Sequence, residues 1–413
     1  MSAKMILYFL LISYVILGIT ISILLKYIYN QTTDNGIAFH HNSFISLLMF
    51  ISEIFALPVY YIKNRKLKKE KIKEGDEENS ENKLLIQANK KKEISNLKLM
   101  LLIIMASFFD FCACFLSDLA MAFAHTTFVM FLKALTLVVF IVFLSWWIYS
   151  KKSILDHLYG SIVAFIAIIL ICLSVFYGKI NNDEDNDKLL FQYSLIFVFF
   201  AMASQSVQSL IIEEDIIRKH NIHQFFVIGY EGLFGFVINF ILCIIFYFIK
   251  CENTKNNSKN ICNEDDEHIW RLENVLFALK QVFGNTALIY LFFTLIIARS
   301  LYNLIAISII KYGGALTRGI IENVRNIFVW VILLIPWTEG ALTEKFNWLR
   351  FLGVLLIIIT ILLYFSVFKI DERKKIRDKI NNLSSLNERI TKDSNYEEGL
   401  LTKSISSSEL EDT

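Results

Sequence analysis

The stretch HTTFVMFLKALTLVVFIVFLSWWI, residues 125–148, is almost wholly apolar and holds a single charged residue, Lys133. An α-helix needs about 20 apolar residues to cross a hydrocarbon core of roughly 30 Å. This run is long enough to do so, whereas buried helices of soluble proteins are usually shorter. Residues 125–148 therefore predict a transmembrane helix.

Similar apolar runs lie on both sides of this one, separated by polar breaks. Their spacing predicts an all-α integral membrane protein with ten transmembrane helices. The predicted spans are residues 5–27, 43–63, 98–119, 125–148, 154–177, 189–212, 225–249, 286–310, 315–337 and 347–368.

The composition agrees with a membrane environment. Of the 413 residues, 55% are hydrophobic and 19% are charged, which is more apolar surface than one soluble core of this size needs. The net charge of +2 and the confinement of basic residues to loops and tails give no indication of a nucleic-acid partner. We find no nucleotide-binding loop, catalytic triad or metal-binding helix motif, so neither an enzyme nor a cofactor is predicted.

Lysine and arginine are unevenly distributed between the loops. They are dense after the second span and in the C-terminal tail, whereas residues 29–42 contain none. Cytosolic loops carry the excess of basic residues, and an even number of spans returns the chain to its starting side. Both termini are therefore predicted to be cytosolic.

The polar segments between the spans have no predicted fold of their own. Residues 64–97 and the tail 370–413 have the composition of disordered cytosolic segments. The predicted lumenal loop, 250–285, includes an amphipathic stretch at 269–283 that is typical of an interfacial helix. A disulfide between Cys251 and Cys262, or two free thiols, fits this loop equally well, and Asn30 and Asn256 begin glycosylation sequons.

The order of features from Asp110 to Trp147 and Gly160 recurs from Ser300 to Trp337 and Gly353. This pattern predicts two five-helix halves, residues 1–177 and 178–369. A repeat with an odd number of spans must insert its second copy upside down, and inverted repeats are typical of alternating-access carriers. We therefore expect a carrier of a small polar or charged solute.

Several ionisable residues interrupt the apolar spans. Each costs roughly 2.5 to 3.5 kcal/mol at the centre of a helix on insertion scales, so these groups are expected to face the bundle interior. The candidate residues for substrate binding or coupling are Glu53, Asp110, Lys133, Glu231, Arg318, Glu322 and Arg325.

Arg318, Glu322 and Arg325 are spaced i, i+4 and i+7, which places them on one stripe of the ninth span. Glu322 can pair with either arginine there. An ion-paired helix contact and a substrate contact are equally good interpretations of this stripe.

Asp110 and Lys133 lie in the third and fourth spans, where an ion pair between them would offer a gating step. Glu231 is flanked by Gly229, Gly232 and Gly235, which permit close helix approach. A carboxyl in such a place can couple transport to protons, or it can be hydrogen-bonded to a neighbouring helix.

Residues 211–236, IIEEDIIRKHNIHQFFVIGYEGLFGF, resemble a run in the drug/metabolite transporter superfamily, within solute carrier family 35, subfamily F. The resemblance extends over nearly all ten predicted spans. The chain departs from the family at Glu322, where an aspartate is usual, and at Arg299, where an apolar residue is expected. Further matching positions are Phe39, His41, Glu53, Asp110, Leu132, Lys311, Thr317, Arg318, Arg325 and Trp330, and Lys133 stands where the family shows an arginine.

The resemblance implies the five-plus-five inverted fold, a transport role and residence in endomembranes. The lysosomal or vacuolar membrane is the first expectation, with the Golgi and the mitochondrion as alternatives. From the residues themselves we expect the lipid bilayer and a small-molecule substrate as partners, with proton coupling through Glu231 as an open alternative, and the oligomeric state stays open.

Two other functions fit the sequence. Lys311-Tyr312 is also found in Golgi nucleotide-sugar antiporters, which makes such an antiporter the first alternative. The other is a receptor or interaction protein that has the carrier fold but does not transport.

Overall fold

The computed structural model describes residues 3–29, 31, 39, 41–75, 96–124, 126–150, 154–180, 185–220, 222–250, 263–264, 270–334 and 347–364. Cys251, Cys262 and the sequon residues Asn30 and Asn256 lie outside these ranges, as does the predicted tail 370–413. The chain divides into two units, Met1–Ile361 and Leu362–Thr413, and the described residues of the second unit are the last three of a helix.

The described part of the chain is almost entirely helical. The α-helices are α1 (Ala3–Tyr29), α2 (Asn42–Ile54), α3 (Ala56–Gly75), α4 (Asn96–Phe123), α5 (Thr126–Tyr149), α6 (Ile154–Ile180), α7 (Asp185–Leu210), α8 (Gln224–Phe248), α9 (Val275–Gly284), α10 (Thr286–Gly313), α11 (Ala315–Leu334) and α12 (Trp348–Tyr364). A π-helix, Ile211–Arg218, follows α7 without a break.

Seven segments of the described chain are helical, long and apolar enough to cross a membrane. They are Met5–Tyr29, Asn42–Lys66, Leu97–Met121, Phe128–Tyr149, Phe191–Arg218, Gln224–Phe248 and Thr286–Gly313. Each overlaps one predicted span closely, so hydropathy located these helices to within a few residues at most ends. The all-α membrane class predicted from the sequence is confirmed.

Helices α6, α11 and α12 lie where the other three spans were predicted. The strongly apolar parts of α6 and α12 are shorter, at Tyr159–Ser174 and Trp348–Tyr364. Helix α11 carries Arg318, Glu322 and Arg325, whose charges lower its hydropathy.

The second predicted span is interrupted between α2 and α3. Pro58 lies in the first turn of α3, where its missing N–H is tolerated but a continuous helix through Ile54 would lose a hydrogen bond. The interruption places Glu53 in the last turn of α2, two residues before Phe55, whose backbone stays close to helical at φ −60° and ψ −14°.

Helix α3 continues to Gly75, well into the segment predicted to be a disordered loop, residues 64–97. Residues 64–75 are rich in lysine and glutamate, which have high helix propensity, and a glycine ends the helix. Residues 76–95 lie outside the described ranges, and α4 begins at Asn96.

Large apolar side chains are exposed along several helices rather than buried. On α1 they include Tyr8, Phe9, Ile12 and Ile16, and on α6 they include Tyr159, Ile162, Phe165 and Ile169. A surface of this kind is typical of a lipid contact, because no water-soluble monomer exposes so many contiguous apolar groups. The protein is an integral membrane protein.

The helices pack in a small set of pairs. Helix α4 packs along α7, and α1 packs along α10. Likewise α5 packs on α7 and α1 on α11, while α4 packs on α8 and α2 on α10. Two more packed pairs are α2 with α8 and α5 with α11, and α5 also packs along α6.

The predicted lumenal loop contains the only strands among the described residues. Strand β1 (Asn263–Glu264) pairs antiparallel with β2 (Trp270–Arg271), with Asn263 opposite Arg271. Helix α9 overlaps the amphipathic stretch 269–283 and begins at a cap where Asn274 Oδ1 accepts from Phe277 N at 3.1 Å.

Candidate functional site

Helix α11 contributes the densest group of charges, and these charges differ in the partners that they contact. Arg325 Nη2 lies 2.5 Å from Glu322 Oε1, so these two residues form an ion pair three positions apart. Arg318 has only a long contact, 3.5 Å from Nη1 to Ser209 Oγ. Of the two pairings open to Glu322, the fold uses Arg325.

Two tyrosines from other helices complete the environment of Glu322. Tyr14 Oη on α1 donates to Glu322 Oε2 at 2.6 Å, and Tyr302 Oη on α10 approaches the same oxygen at 2.8 Å. The rings stack with centroids 4.3 Å apart, and Arg325 Nη1 donates to Tyr302 Oη at 2.7 Å. We call Tyr14, Tyr302, Glu322 and Arg325 the tyrosine–arginine network.

Neither tyrosine was predicted as a site residue. Both look like ordinary aromatic residues of apolar helices, and only their buried hydroxyl groups, which need partners, offered a signal. Gly18, one turn beyond Tyr14 on α1, makes room for the network. A β-carbon there would lie 2.2 Å from Arg325 Cδ.

Asparagines hold α11 against α5. Asn323 Nδ2 donates to Ala134 O at 3.1 Å, and Asn326 Nδ2 donates to Met130 O at 2.7 Å. The two helices run antiparallel, because the partner on α5 moves back as the residue on α11 moves forward. These bonds keep Lys133, between the two acceptors, at the depth of the α11 charges.

Glu53 and Glu231 each accept a hydrogen bond from a neutral amide. Asn303 Nδ2 on α10 donates to Glu53 Oε1 at 2.6 Å, and Gln208 Nε2 on α7 donates to Glu231 Oε1 at 2.6 Å. Both carboxyls are buried, and Glu53 Oε2 has no hydrogen-bond partner among the described residues. Asn303 and Gln208 were not predicted, since amides raise no signal in a hydropathy profile.

The glycines of α8 permit close helix packing, as their sequence predicts. A β-carbon at Gly232 would lie 2.5 Å from Glu53 Cβ and 2.8 Å from Phe50 O. One at Gly235 would lie 2.4 Å from the Phe50 ring. The glycine face therefore brings Glu231 and Glu53 into the same interior region.

Asp110 is buried on α4, but it is not ion-paired with Lys133. In the described part of the chain, Asp110 has neither a hydrogen bond nor an ion pair, and the same holds for Lys133. The cations that act on Asp110 are those of Arg318, Lys133 and Arg299. The predicted direct pair is replaced by a looser arrangement in which one carboxylate lies among several cations.

Asp118 is an interior carboxylate that the sequence analysis missed. It accepts a hydrogen bond from Ser46 Oγ on α2. The positive charges of Lys133 and Arg299 also lie within electrostatic range of its carboxylate. Its spacing offered a signal, because Asp110, Cys114 and Asp118 follow one another at intervals of four on α4.

A second polar cluster lies where the π-helix meets the start of α11. Glu213 Oε2 accepts from the backbone N–H of Ala315 at 2.6 Å, and Glu213 Oε1 lies 2.6 Å from Arg218 Nη2. Tyr149 Oη, at the end of α5, donates to Asp215 Oδ2 at 2.7 Å. The cluster thus connects α5, α7 and α11 at one end of the bundle.

Directly before the start of α2, His41 is buried and hydrogen-bonded. Its Nδ1 lies 2.6 Å from Glu273 Oε1, and Ser43 N donates to Glu273 Oε2 at 3.1 Å. This contact ties the start of α2 to the segment before α9. His223, before α8, has a lowered pKa because it is partly buried and lies near Lys63 and Lys311.

No group of three or more metal-ligating side chains converges in the described part of the chain. Lys311 and Tyr312, the pair shared with nucleotide-sugar antiporters, are both exposed at the end of α10. The ionisable residues of the interior are instead contributed by α2, α4, α5, α8, α10 and α11.

The fold and this interior define a polytopic α-helical membrane protein whose bundle encloses ionisable groups. The chain is similar to Solute carrier family 35 member F6 of Homo sapiens, with 25% identity over 216 residues, 52% of this chain and 53% of that protein. The Rattus norvegicus member F6 is 29% identical over 156 residues, 38% of each chain. The matched region spans about half the length of these curated relatives, and the resemblance drawn from the motifs is confirmed.

No protein-family model matches the chain. A solved chain described as "Crystal structure of protein" aligns with 88% of this chain and 97% of its own length, at a TM-score of 0.48 and 10% identity. That likeness is too weak to define the fold.

Proposed function

We propose that the protein is a solute transporter that works by alternating access. The observation that carries the proposal is an interior lined by charged and amide groups from both predicted halves. Asp110 and Lys133 belong to residues 1–177, whereas Arg318 and Asn303 belong to residues 178–369. Such groups are costly in a bilayer, and in carriers they mark the path of a polar solute.

The packing pairs support two halves related by an inverted repeat. In such a repeat, α1 corresponds to α7, and α2 and α3 together correspond to α8. Likewise, α4 corresponds to α10 and α5 corresponds to α11. The pair α4–α7 then becomes α10–α1, α5–α7 becomes α11–α1, and α4–α8 becomes α10–α2, all of which are packed pairs. The pairs α2–α8 and α5–α11 map onto themselves. This is the arrangement expected of ten spans with a two-fold axis in the membrane plane.

The two polar clusters outside the interior are suited to closing its ends. One joins α5, α7 and α11 through Tyr149, Asp215, Glu213 and Ala315. The other joins α2 to the segment before α9 through His41 and Glu273. In an alternating-access cycle, one end opens while the other stays closed, so each cluster is a candidate gate.

The orientation and location that we propose rest on the sequence. The excess of lysine and arginine supports cytosolic termini, and the family resemblance supports the lysosomal or vacuolar membrane, with the Golgi or mitochondrion as alternatives. Coupling to protons, with Glu231 as a candidate, belongs to the same proposal.

The test is counterflow in proteoliposomes. Purified protein is reconstituted and screened for exchange of labelled amino acids, peptides, organic cations, organic anions and nucleotide sugars, with and without an acid-inside gradient. We expect at least one class to exchange, and exchange to be lost in Lys133→Ala and Glu231→Gln. Arg65→Gln, an exposed charge on α3, is the matched control and should transport normally.

The alternatives have distinct outcomes in this experiment. Exchange restricted to nucleotide sugars would identify the Golgi-type antiporter. Absence of exchange for every solute, from protein that unfolds cooperatively and elutes as a single species, would contradict the transporter and favour the receptor.

A further inference from the structure

Besides Arg299 on α10, whose Nε is enclosed without a partner, three charged groups of the interior have no ion pair and no hydrogen bond shorter than 3.5 Å within the described residues. They are Asp110 on α4, Lys133 on α5 and Arg318 on α11. Within the described residues, neither Asp110 nor Lys133 has a hydrogen bond or an ion pair, and Arg318 has only the 3.5 Å contact with Ser209. A charge in a membrane bundle normally pairs or faces a cavity.

These groups are not fully enclosed. Asp110 keeps 6% of its surface accessible, and Lys133 and Arg318 are only partly buried. None of their polar atoms is among those that are both enclosed and unbonded, whereas Glu53 Oε2 and Arg299 Nε are. We call Asp110, Lys133 and Arg318 the open triad.

Most other charges of the interior already have a hydrogen bond or an ion pair. Glu322 and Arg325 pair with each other and with two tyrosines, and Glu53 and Glu231 accept hydrogen bonds from amides. The open triad therefore offers charge that is both accessible and unpaired in the described contacts.

The open triad combines both signs of charge. The negative charge of Asp110 acts on two further carboxyls, those of Glu53 and Glu231. Lys133 and Arg318 are the cations that act most on Asp110. Carboxyls and cations of the interior thus lie within electrostatic range of one another.

We propose that the open triad binds a small zwitterion of the amino-acid type, with its ammonium group on Asp110 and its carboxylate between Lys133 and Arg318. This inference rests on the proposed transport function and names its substrate class. Its three contributing helices come from both predicted halves, so the ligand would bridge the parts that move during alternating access.

Simple ions satisfy the open triad less well. A cation would pair with Asp110 but leave two like charges, Lys133 and Arg318, unpaired in a low-dielectric interior. An anion would pair with those cations, but it would leave Asp110 without a partner of opposite charge and would repel its carboxylate. A zwitterion of suitable length satisfies all three groups at once.

The experiment compares solutes that share a side chain. Each labelled amino acid is tested in proteoliposome counterflow against its deaminated acid, which lacks the ammonium group, and its decarboxylated amine, which lacks the carboxylate. We expect amino acids to exchange and both analogues to compete at least about 30-fold more weakly, since each leaves a buried charge unpaired.

Two variants test the assigned polarity. Asp110→Asn should weaken amino-acid exchange at least about 30-fold and make the deaminated acid as good a competitor as the amino acid. Arg318→Gln should weaken amino-acid exchange to the same extent and make the decarboxylated amine as good a competitor as the amino acid. A change of analogue preference in opposite directions is not produced by loss of folded protein, and Arg65→Gln should leave the preference unchanged.

The outcomes separate this inference from the transport function. If the acid or the amine alone exchanges as well as the amino acid, or if Asp110→Asn does not alter analogue preference, transport stands and the zwitterion is wrong. If well-folded protein exchanges none of the screened solutes, the transport function and the zwitterion both fall.

Discussion

Glu213 Oε2 accepts a hydrogen bond from the backbone N–H of Ala315 at 2.6 Å, across 102 residues of sequence. The carboxylate of one helix therefore caps the first turn of another. Gly314 precedes the cap with a φ of +88°, a conformation that favours glycine, and a β-carbon there would lie 3.2 Å from Glu213 Oε1. The start of the π-helix and the start of α11 are joined by this bond.

Glu213→Ala should destabilise the protein. The substitution removes an acceptor from the N-terminus of α11, and lost caps of this kind cost about 0.5–2 kcal/mol. Thermal unfolding in detergent measures the effect. Lys219→Ala, which removes only the exposed pair with Asp215, should change the unfolding temperature little. Equal losses in both variants would show that the cap contributes nothing.

Gly232→Ala should disturb the contact between α8 and α2. The added methyl group would meet Glu53 Cβ at 2.5 Å and the backbone oxygen of Phe50 at 2.8 Å, and backbone cannot move as easily as a side chain. Overpacking of this kind costs about 1–3 kcal/mol.

Gly284→Ala is the control for that substitution. Nothing lies within 4 Å of a β-carbon at Gly284, the last residue of α9. The unfolding temperature of the Gly284→Ala variant should therefore match that of the unmodified protein. A neutral Gly232→Ala would mean that the two helices do not pack as closely as described.

Tyr302→Phe and Tyr14→Phe should both weaken the network around Glu322. Each removes a hydroxyl donor from a half-buried carboxylate, which costs about 1–3 kcal/mol. The loss should be larger for Tyr302, because its oxygen also accepts from Arg325. Tyr290→Phe, an exposed tyrosine on the same helix, is the control. Thermal unfolding of the three variants ranks the losses, and an equal effect at Tyr290 would contradict a specific network.

Glu322→Gln should be more damaging alone than together with Arg325→Gln. Removing one partner leaves a charge uncompensated, at a cost of about 3–5 kcal/mol, whereas removing both leaves neutral groups that can hydrogen-bond. A double-mutant cycle on the free energy of unfolding measures the coupling. Strict additivity of the two losses would exclude the ion pair as an energetic unit.

Stability should fall below neutral pH partly through His223. Its pKa is lowered from 6.5 in the folded protein, where Nδ1 accepts from Phe225 N at 3.3 Å and caps α8. The unfolded chain therefore binds the proton more readily, and this contribution, present above pH 6.5, is lost as the pH falls through the lowered value.

His223→Asn keeps a capping acceptor but cannot be protonated in this range. Its unfolding temperature should depend less on pH between 7.5 and 5.5 than that of the unmodified protein. An identical pH dependence of the two proteins would assign the titration to other groups.

Much of the fold was predictable because hydropathy is a local property. A run such as residues 125–148 needs no knowledge of its neighbours to be recognised as a membrane helix, and α5 is found there. The helical part of the loop after the second span was missed, because high charge was given more weight than helix propensity.

The candidate site was predictable only as a set of residues. Each charge inside an apolar run is expected to face the interior, and Glu53, Asp110 and Glu231 are buried. The partners were not predictable, since amides and tyrosines such as Asn303 and Tyr14 are common in apolar helices and carry no charge to mark them.

The sequence by itself therefore determined the membrane class, the positions of the apolar helices and the identity of the ionisable residues in their interior, because each depends on local composition and on the cost of transferring charge to lipid. Only the tertiary structure decided that Glu322 pairs with Arg325 and that Asp110 stays apart from Lys133. The physical reason is that a pairing depends on distances between side chains of different helices, which the helix packing sets.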